Sequence, residues 1–365
     1  MKILFACCNI GFGHLSRSLV LADELRKHKN IEVAFAIGRP YNEYLEKNTD
    51  YKVFKLYRSI PLASSAGLDF TGTLTFARDL IRNFMIYPAR IVKIIECYKP
   101  DLILSDSELL VPLISKIHLK KYRKPAIMIT HQPKLFTKYR KVDHLWRLYL
   151  SKAFKLIIVP DIVGVDAPVE IKDKIIRVGA LANSIKLKKR ATQKKLGLRK
   201  SVCIIPSFAS TGTADKIQFL ESVKRIALLY PDYDFAILGQ SETRTIGNVK
   251  LREMSSTNPL EYMVASDVIV LSGYTALMEA VMIRRPVLMI PTQAEQRKIA
   301  RLGENDGILM AGTIDDLPRM LENEKQLEVM VKNQKKIHSG VKESADAIFS
   351  VYRSFIQSRG INNSV

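Results

Sequence analysis

Lys2-Ile3-Leu4-Phe5-Ala6-Cys7-Cys8 is an apolar run of strand length that leads through Asn9-Ile10 into Gly11-Phe12-Gly13-His14, and a helical pattern starts at Leu15. A continuous buried-type strand, a glycine turn and then a helix is the repeating unit of a parallel α/β sheet covered on both faces. The same order recurs near the other end of the chain. Asp267-Val268-Ile269-Val270-Leu271 leads into Ser272-Gly273-Tyr274-Thr275 and a helix that carries Glu279. The first N–H groups of such a helix lack partners within it, and its positive end suits a phosphate. Two such units in one chain predict an α/β protein of two Rossmann-like domains with parallel sheets facing a cleft.

Between these anchors the pattern alternates throughout. Strands are expected at Glu32–Ile37, Tyr51–Leu56, Asp101–Leu104, Ala126–Thr130, Leu156–Val159 and Ile175–Val178. In the second half they are expected at Val202–Ile205, Phe235–Leu238, Val249–Glu253, Val268–Leu271 and Val287–Ile290. Helices are expected at Leu15–His28, Thr73–Tyr98 with a break near Pro88, Pro259–Ala265 and Gln296–Leu302, and three more close the chain. From Ile185 the sequence turns basic and polar without a strong apolar face, which marks a domain junction. The division that follows is 1–180 for an N-terminal domain and 181–340 for a C-terminal one, with 341–365 a helix packing back on the first.

The 365 residues and 47% hydrophobic content suffice for two buried cores and exclude a disordered chain. No apolar run is long enough to cross a membrane, and Met1–Cys8 is too short for a signal peptide. A cytoplasmic protein is expected. Cys7, Cys8, Cys97 and Cys203 form no C-x-x-C pair and are read as reduced core residues. The net charge of +21 is uneven, since residues 76–156 hold 17 Lys/Arg against 6 Asp/Glu. There Arg78, Arg82, Arg90 and Lys93 alternate with Phe84, Tyr87 and Ile91. Further on, Lys134, Lys138, Arg140, Lys141, Arg147, Lys152 and Lys155 are mixed with Phe136, Trp146, Tyr149 and Phe154. This composition suits either the outer faces of amphipathic helices or an anionic membrane surface. A nucleic-acid surface fits the charge but not the glycine-turn architecture.

His14 follows a glycine turn at a strand end. It is a candidate base for an acceptor hydroxyl, with a phosphate or acceptor hydrogen bond as its other use. Asp106 and Glu108 follow another strand end, and either one orients His14 or acts as base itself. His131 follows a third. Glu279, inside the second helix, can accept from both hydroxyls of a ribose, and Glu295-Gln296 past Pro291 can meet sugar hydroxyls. No Asp-x-Asp stands at a strand end and no cluster has metal-ligand spacing, so a metal-independent reaction without a cofactor is expected.

The run Ser272-Gly273, Glu279, Arg285-Pro286, Pro291 and Glu295-Gln296, with Gly303 or Gly307 beyond, resembles the donor domain of MurG-like, family-28-type glycosyltransferases. Gly11-x-Gly13-His14 with Arg17 resembles their acceptor-domain opening, and the whole chain looks closest to archaeal members of uncertain substrate. The resemblance implies a GT-B fold and a UDP-sugar donor. It places Ser272, Gly273, Tyr274 and Thr275 near the diphosphate, with Glu279 on the ribose and Glu295 and Gln296 on the sugar. The loop with Ser210, Thr211 and Gly212 would close on the phosphates, and Gly11, Gly13, Arg17 and His131 would lie on the acceptor side. The sequence departs from the family in three places. The loop Ser207–Gly212 lacks paired glycines, Tyr274 replaces a small residue, and Ile299-Ala300 stands for Asn-Ala. The reaction expected is inverting transfer of a sugar such as N-acetylglucosamine from UDP to a lipid- or glycan-linked hydroxyl, peripherally on the membrane. The alternatives are a nucleotide-sugar epimerase or hydrolase on the same fold, and a non-catalytic nucleotide-sugar-binding scaffold.

Overall fold

The computed structural model describes residues 1–8, 12–56, 87–118, 124–131, 133, 140–165, 167–182, 187–206, 213–240, 242–253 and 258–358. The chain divides into two compact units. One comprises Met1–Asp161, Val165–Val178 and Gly340–Val365, and the other Ile162–Gly164 and Gly179–Ser339.

The first unit is built on seven strands: β1 (Lys2–Cys7), β2 (Glu32–Ile37), β3 (Lys52–Lys55), β4 (Leu102–Asp106), β5 (Ala126–Ile129), β6 (Leu156–Pro160) and β7 (Ile175–Val178). Their order is β3-β2-β1-β4-β5-β6-β7, and every pair is parallel. The helices are α1 (Phe12–Arg26), α2 (Tyr41–Asn48), α3 (87–98), α4 (Leu110–His118) and α5 (Arg140–Ala153). The strands are runs of Ile, Leu, Val, Phe and Ala because both faces are covered, and Ile3, Leu4, Phe5 and Ala6 have no exposed surface. Burying each such aliphatic or aromatic side chain contributes roughly 1.5–3 kcal/mol. The last helix of the chain (Val341–Ser358, called α13 below) belongs to this unit and lies against α1, with the Phe349 ring 4.6 Å from that of His28.

The second unit repeats the plan with β8 (Lys200–Ile205), β9 (Tyr233–Gln240), β10 (Arg244–Ile246), β11 (Val249–Glu253), β12 (Val268–Leu271), β13 (Val287–Met289) and β14 (Met310–Ala311). The order is β10-β11-β9-β8-β12-β13-β14, parallel except for the β10–β11 hairpin. Its helices are α6 (Lys189–Leu196), α7 (Thr213–Leu229), α8 (Pro259–Ala265), α9 (Tyr274–Met282), α10 (Ala294–Asn305), α11 (Leu317–Leu321) and α12 (Glu324–Gln334), before α13 returns to the first unit. Among their parallel strands both sheets therefore reverse strand order once, between β1 and β4 and between β8 and β12. Ligands of open α/β sheets bind outside the strand carboxyl ends at such a reversal.

The segments by which the chain enters and leaves the second unit pair with each other. Ala180 N–H donates to the His338 carbonyl at 2.9 Å, and Ala180 and Ser339 form a parallel bridge. A Cβ on Gly179 would sit 2.2 Å from the His338 carbonyl oxygen, so this glycine is demanded by the close approach of two backbones.

Some elements differ from the sequence reading. Helix α2 is not anticipated, because only Asn42 and Leu45 of its eight residues are buried and no apolar stripe shows. β10 is likewise missed, being exposed at each of its three positions along an edge hairpin. Cys97 is exposed rather than part of the core; its neighbours Ile94, Ile95 and Tyr98 take the buried face of α3. The helix expected over Thr73–Tyr98 lies partly outside the described residues, as do Arg78, Arg82, Lys134 and Lys138.

Candidate functional site

At the reversal in the first sheet, Cys7 of β1 is in register with Asp106, the last residue of β4, and Cys8 N–H donates to the Asp106 carbonyl at 2.9 Å. Helix α1 lies over this point. His14, Arg17 and Ser18 share one of its faces, being three and four residues apart. All three reach Asp106. Arg17 Nε donates to Oδ2 at 2.7 Å and Arg17 Nη2 donates to Oδ1, while Ser18 Oγ donates to Oδ2 at 3.0 Å. His14 Nδ1 lies 2.7 Å from Oδ1. Arg17 Nη1 continues to His131 Nδ1, 3.1 Å away just past β5. Gly13 is in the first turn of the same helix, and Gly11 lies outside the described residues.

Arg17 and Asp106 have no exposed surface, whereas the His14 side chain keeps 19%. Isolated, either buried ion would be strongly unfavourable; here each carboxylate oxygen is met by donors. Burial alone would raise the Asp106 pKa, but the Arg17 guanidinium and then His14 outweigh it and hold the carboxyl far below the usual range. For His14, burial is the largest influence and lowers its pKa; Asp106 opposes this and Arg17 adds to the lowering. An ionised carboxylate only accepts, so the 2.7 Å contact places a proton on His14 Nδ1. The Nε2 lone pair is then the basic atom, on the side chain that retains exposure.

Glu108 has a different setting from Asp106. It is 5% exposed, and its Oε1 accepts from Leu110 N–H at 3.0 Å, satisfying a donor at the start of α4. It also faces Tyr87, whose phenol is pushed well up by burial and then by the Glu108 charge.

At the reversal in the second sheet, β12 ends at Leu271, and α9 begins at Tyr274 with Gly273 as its N-cap and no side-chain cap. Gly273 has φ −91° and ψ 142°, values any residue adopts, and a Cβ there would meet nothing within 4 Å. Neither backbone conformation nor packing requires a glycine at this turn. Ser272 and Thr275 are buried beside it. The Tyr274 ring is 4% exposed and its hydroxyl accepts from Ile162 N–H at 3.1 Å. Glu279 is half-buried in the middle of α9. Ser210, Thr211 and Gly212 lie outside the described residues.

After β13, Gln296 closes the entry to α10. Its Oε1 accepts from Thr292 N–H at 2.8 Å and from the Thr292 hydroxyl at 3.0 Å, and Gln293 reciprocates in a capping box. Glu295, next to Gln296 in the first turn, is half-buried. Among the described residues no group of three His, Cys, Asp or Glu is placed to hold a metal ion.

The structure thus joins His14, Arg17, Asp106 and His131 in one network and keeps Glu108 on a helix cap. Sequence reading missed Ser18 and the bridging place of Arg17; their three- and four-residue spacing from His14 is the signal that finds them.

No protein-family profile matches the chain. It is 25% identical over 344 residues to an uncharacterized glycosyltransferase of Methanosarcina acetivorans, covering 84% of each chain. Among solved structures it is similar to Arabidopsis thaliana UGT89C1 complexed with quercetin (TM-score 0.66, 14% identity, covering 96% of this chain and 99% of that one). It is also similar to the UDP-GlcNAc 2-epimerase of Neisseria meningitidis bound to UDP-GlcNAc (TM-score 0.59, 16% identity, 96% and 99%). The fold is that of the GT-B glycosyltransferases. With sequence relatives named glycosyltransferase along 84% of its length, the chain is an enzyme of the glycosyltransferase type.

Proposed function

We propose that the protein transfers a sugar from a UDP-sugar to a hydroxyl of a lipid- or glycan-linked acceptor, by inversion and without a metal ion. The observation that carries this reading is the His14–Asp106 pair: a buried carboxylate orients an imidazole whose other nitrogen is left basic. In the step proposed, an acceptor oxygen attacks the anomeric carbon and its proton passes to His14 Nε2. The bond from that carbon to the diphosphate oxygen breaks, and UDP leaves with the electron pair. A single displacement of this kind inverts the centre.

The second unit would hold the donor. Backbone N–H groups of Tyr274 and Thr275 at the start of α9 stabilise the departing diphosphate, and open space at Gly273 lets the phosphates approach. Glu279 takes the ribose, and Glu295 with Gln296 Nε2 takes the sugar, N-acetylglucosamine being our first choice. The UDP-GlcNAc complex of the structurally similar epimerase supports a UDP-sugar.

A lipid-linked acceptor is supported by the first unit's surface. Ile117 on α4, Leu145 and Leu148 on α5 and Val169 in the 3-10 helix Val169–Lys174 are exposed, with Lys116, Lys152 and Lys172 on the same elements. No helix among the described residues is long and apolar enough to cross a membrane, so contact would be peripheral.

The test is a thermal-shift screen of wild type and Glu279→Ala against UDP, GDP, dTDP, CMP and their sugars. A ligand of the folded state raises the melting temperature. Stabilisation by UDP that Glu279→Ala abolishes is expected; indifference to every nucleotide would remove the donor site. Incubation with UDP-GlcNAc alone then separates the epimerase and hydrolase readings, which require product without an acceptor.

A further inference from the structure

Ser105-Asp106-Ser107-Glu108 runs from the end of β4 toward α4, and three of these four polar residues are spent within the fold. The Ser105 hydroxyl donates to the Glu108 carbonyl, Asp106 accepts from Arg17, Ser18 and His14, and Glu108 takes Leu110 N–H. The Ser107 hydroxyl makes no hydrogen bond among the described residues, and the residue is half-buried. Its backbone is also unusual. φ is 56°, the left-handed region that an L-residue enters at a cost and that is normally left to glycine or asparagine. Of the other described non-glycine residues with positive φ, Asn30 is of a type that tolerates it, and Lys99 and Arg284 stand just past helix ends, where it is common. Ser107 instead lies between a strand and a helix, and a bridge to Cys7 pins its backbone beside the end of β1. Strain kept where glycine would relieve it is a mark of functional sites.

A serine side chain is one carbon long, so the hydroxyl stays at the strand edge where its backbone is held. At this same edge α1 sets His14 on Asp106. Arg17 and Asp106 spend their charges on each other, and burial favours the neutral His14 ring. The edge therefore combines a neutral imidazole with a neutral hydroxyl, which suits an alcohol better than an ion. We propose that Ser107 is a ligand-binding residue whose hydroxyl hydrogen-bonds a polyol at the carboxyl end of β4, and that the left-handed turn is kept for this contact. That the polyol is the sugar acceptor rests on the glycosyltransferase reading; that Ser107 binds a polyol does not.

The experiment titrates octyl β-glucoside, below its micelle concentration, into the full chain carrying 13C-labelled histidine. Binding is read from the His14 ring signals, assigned with His14→Gln, in wild type, Ser107→Gly and Ser107→Ala, and the melting temperature of each is measured in parallel. Ser107→Gly removes both the hydroxyl and the strain. Ser107→Ala removes the hydroxyl and keeps the Cβ, so a loss shared by both variants belongs to the hydroxyl. Expected is a dissociation constant roughly 3–10-fold higher in both, the worth of one neutral hydrogen bond. Ser107→Gly should melt at or above wild type, because it leaves the left-handed turn without strain. Wild-type His14 signals that ignore octyl glucoside, variants that bind it as tightly as wild type, or a Ser107→Gly protein that melts below wild type would each overturn the proposal. Octyl glucoside binding that needs Ser107 in a protein indifferent to UDP would retain the site and discard the glycosyltransferase reading.

Discussion

Apart from the β10 hairpin strand, the second sheet follows the strand order of the first and reverses it at one parallel pair, but the two reversal points are furnished in opposite ways. In the first unit the point is filled by side chains: a buried Arg17–Asp106 pair, Ser18 and two histidines. In the second unit it offers backbone, an uncapped helix start and open space at Gly273. Topology places a site at a strand-order reversal, and the residues at the turn decide its chemistry. Charged side chains on α1 suit proton transfer, where one atom must be held in one orientation. Backbone N–H groups at the start of α9 suit a diphosphate, which spreads its charge over several oxygens.

The sharpest way to break this contrast is to cut the first network. Asp106→Ala leaves Arg17 buried without its anion and should cost about 3–5 kcal/mol, read as a shifted urea midpoint. A loss below about 1 kcal/mol would mean that the network is not an assembled unit. His14→Ala tests the chemical half alone. Its ring is partly exposed, so folding should change little, while turnover with a UDP-sugar and acceptor should fall roughly 10²–10⁴-fold with the UDP thermal shift kept.

Two alanine substitutions sharpen the other side. Gly179→Ala drives a Cβ into the His338 carbonyl and should cost on the order of 1–3 kcal/mol. Gly273→Ala meets neither strain nor neighbours, and its stability should stay within about 0.5 kcal/mol of wild type. If a phosphate approaches that turn, Gly273→Ala should nonetheless weaken UDP stabilisation; unchanged UDP binding would show that the space serves no ligand.

The smallest effect is in pH. The His14 pKa is lowered from 6.5, chiefly by burial, so the neutral base is present across the neutral range. Activity should hold as pH falls to 6.5 and decline only below it, as the ring takes up a proton. The same group makes the fold favour the neutral ring, so its contribution to stability is complete above 6.5 and is lost as pH falls through the folded pKa. A pH–rate profile with its acid limb above 6.5 would contradict the assignment of His14 as base.

How much of this was legible beforehand varies by element. β1 and β12 announce themselves as unbroken apolar runs, since a strand buried on both faces has no polar position. α2 and the β10 hairpin do not, because exposed short elements leave no periodic trace. Within the site, His14 and Asp106 were legible as strand-end residues, but nothing in the order of residues preferred Asp106 to Glu108. Tyr274, expected beside the phosphates, directs its hydroxyl to Ile162 N–H, and Gln296 spends its carbonyl on its own helix entry.

The sequence by itself determined the two parallel sheets and the turns at which ligands would gather, because hydrophobic period and glycine placement are local properties of the chain. Only the tertiary structure decided that Asp106 meets Arg17 and His14 across 89 and 92 positions, and that one guanidinium also reaches His131. Those contacts arise from the register of β1 on β4 and from the face that α1 turns toward the strand ends. Such long-range geometry is fixed by packing, which no window of sequence contains.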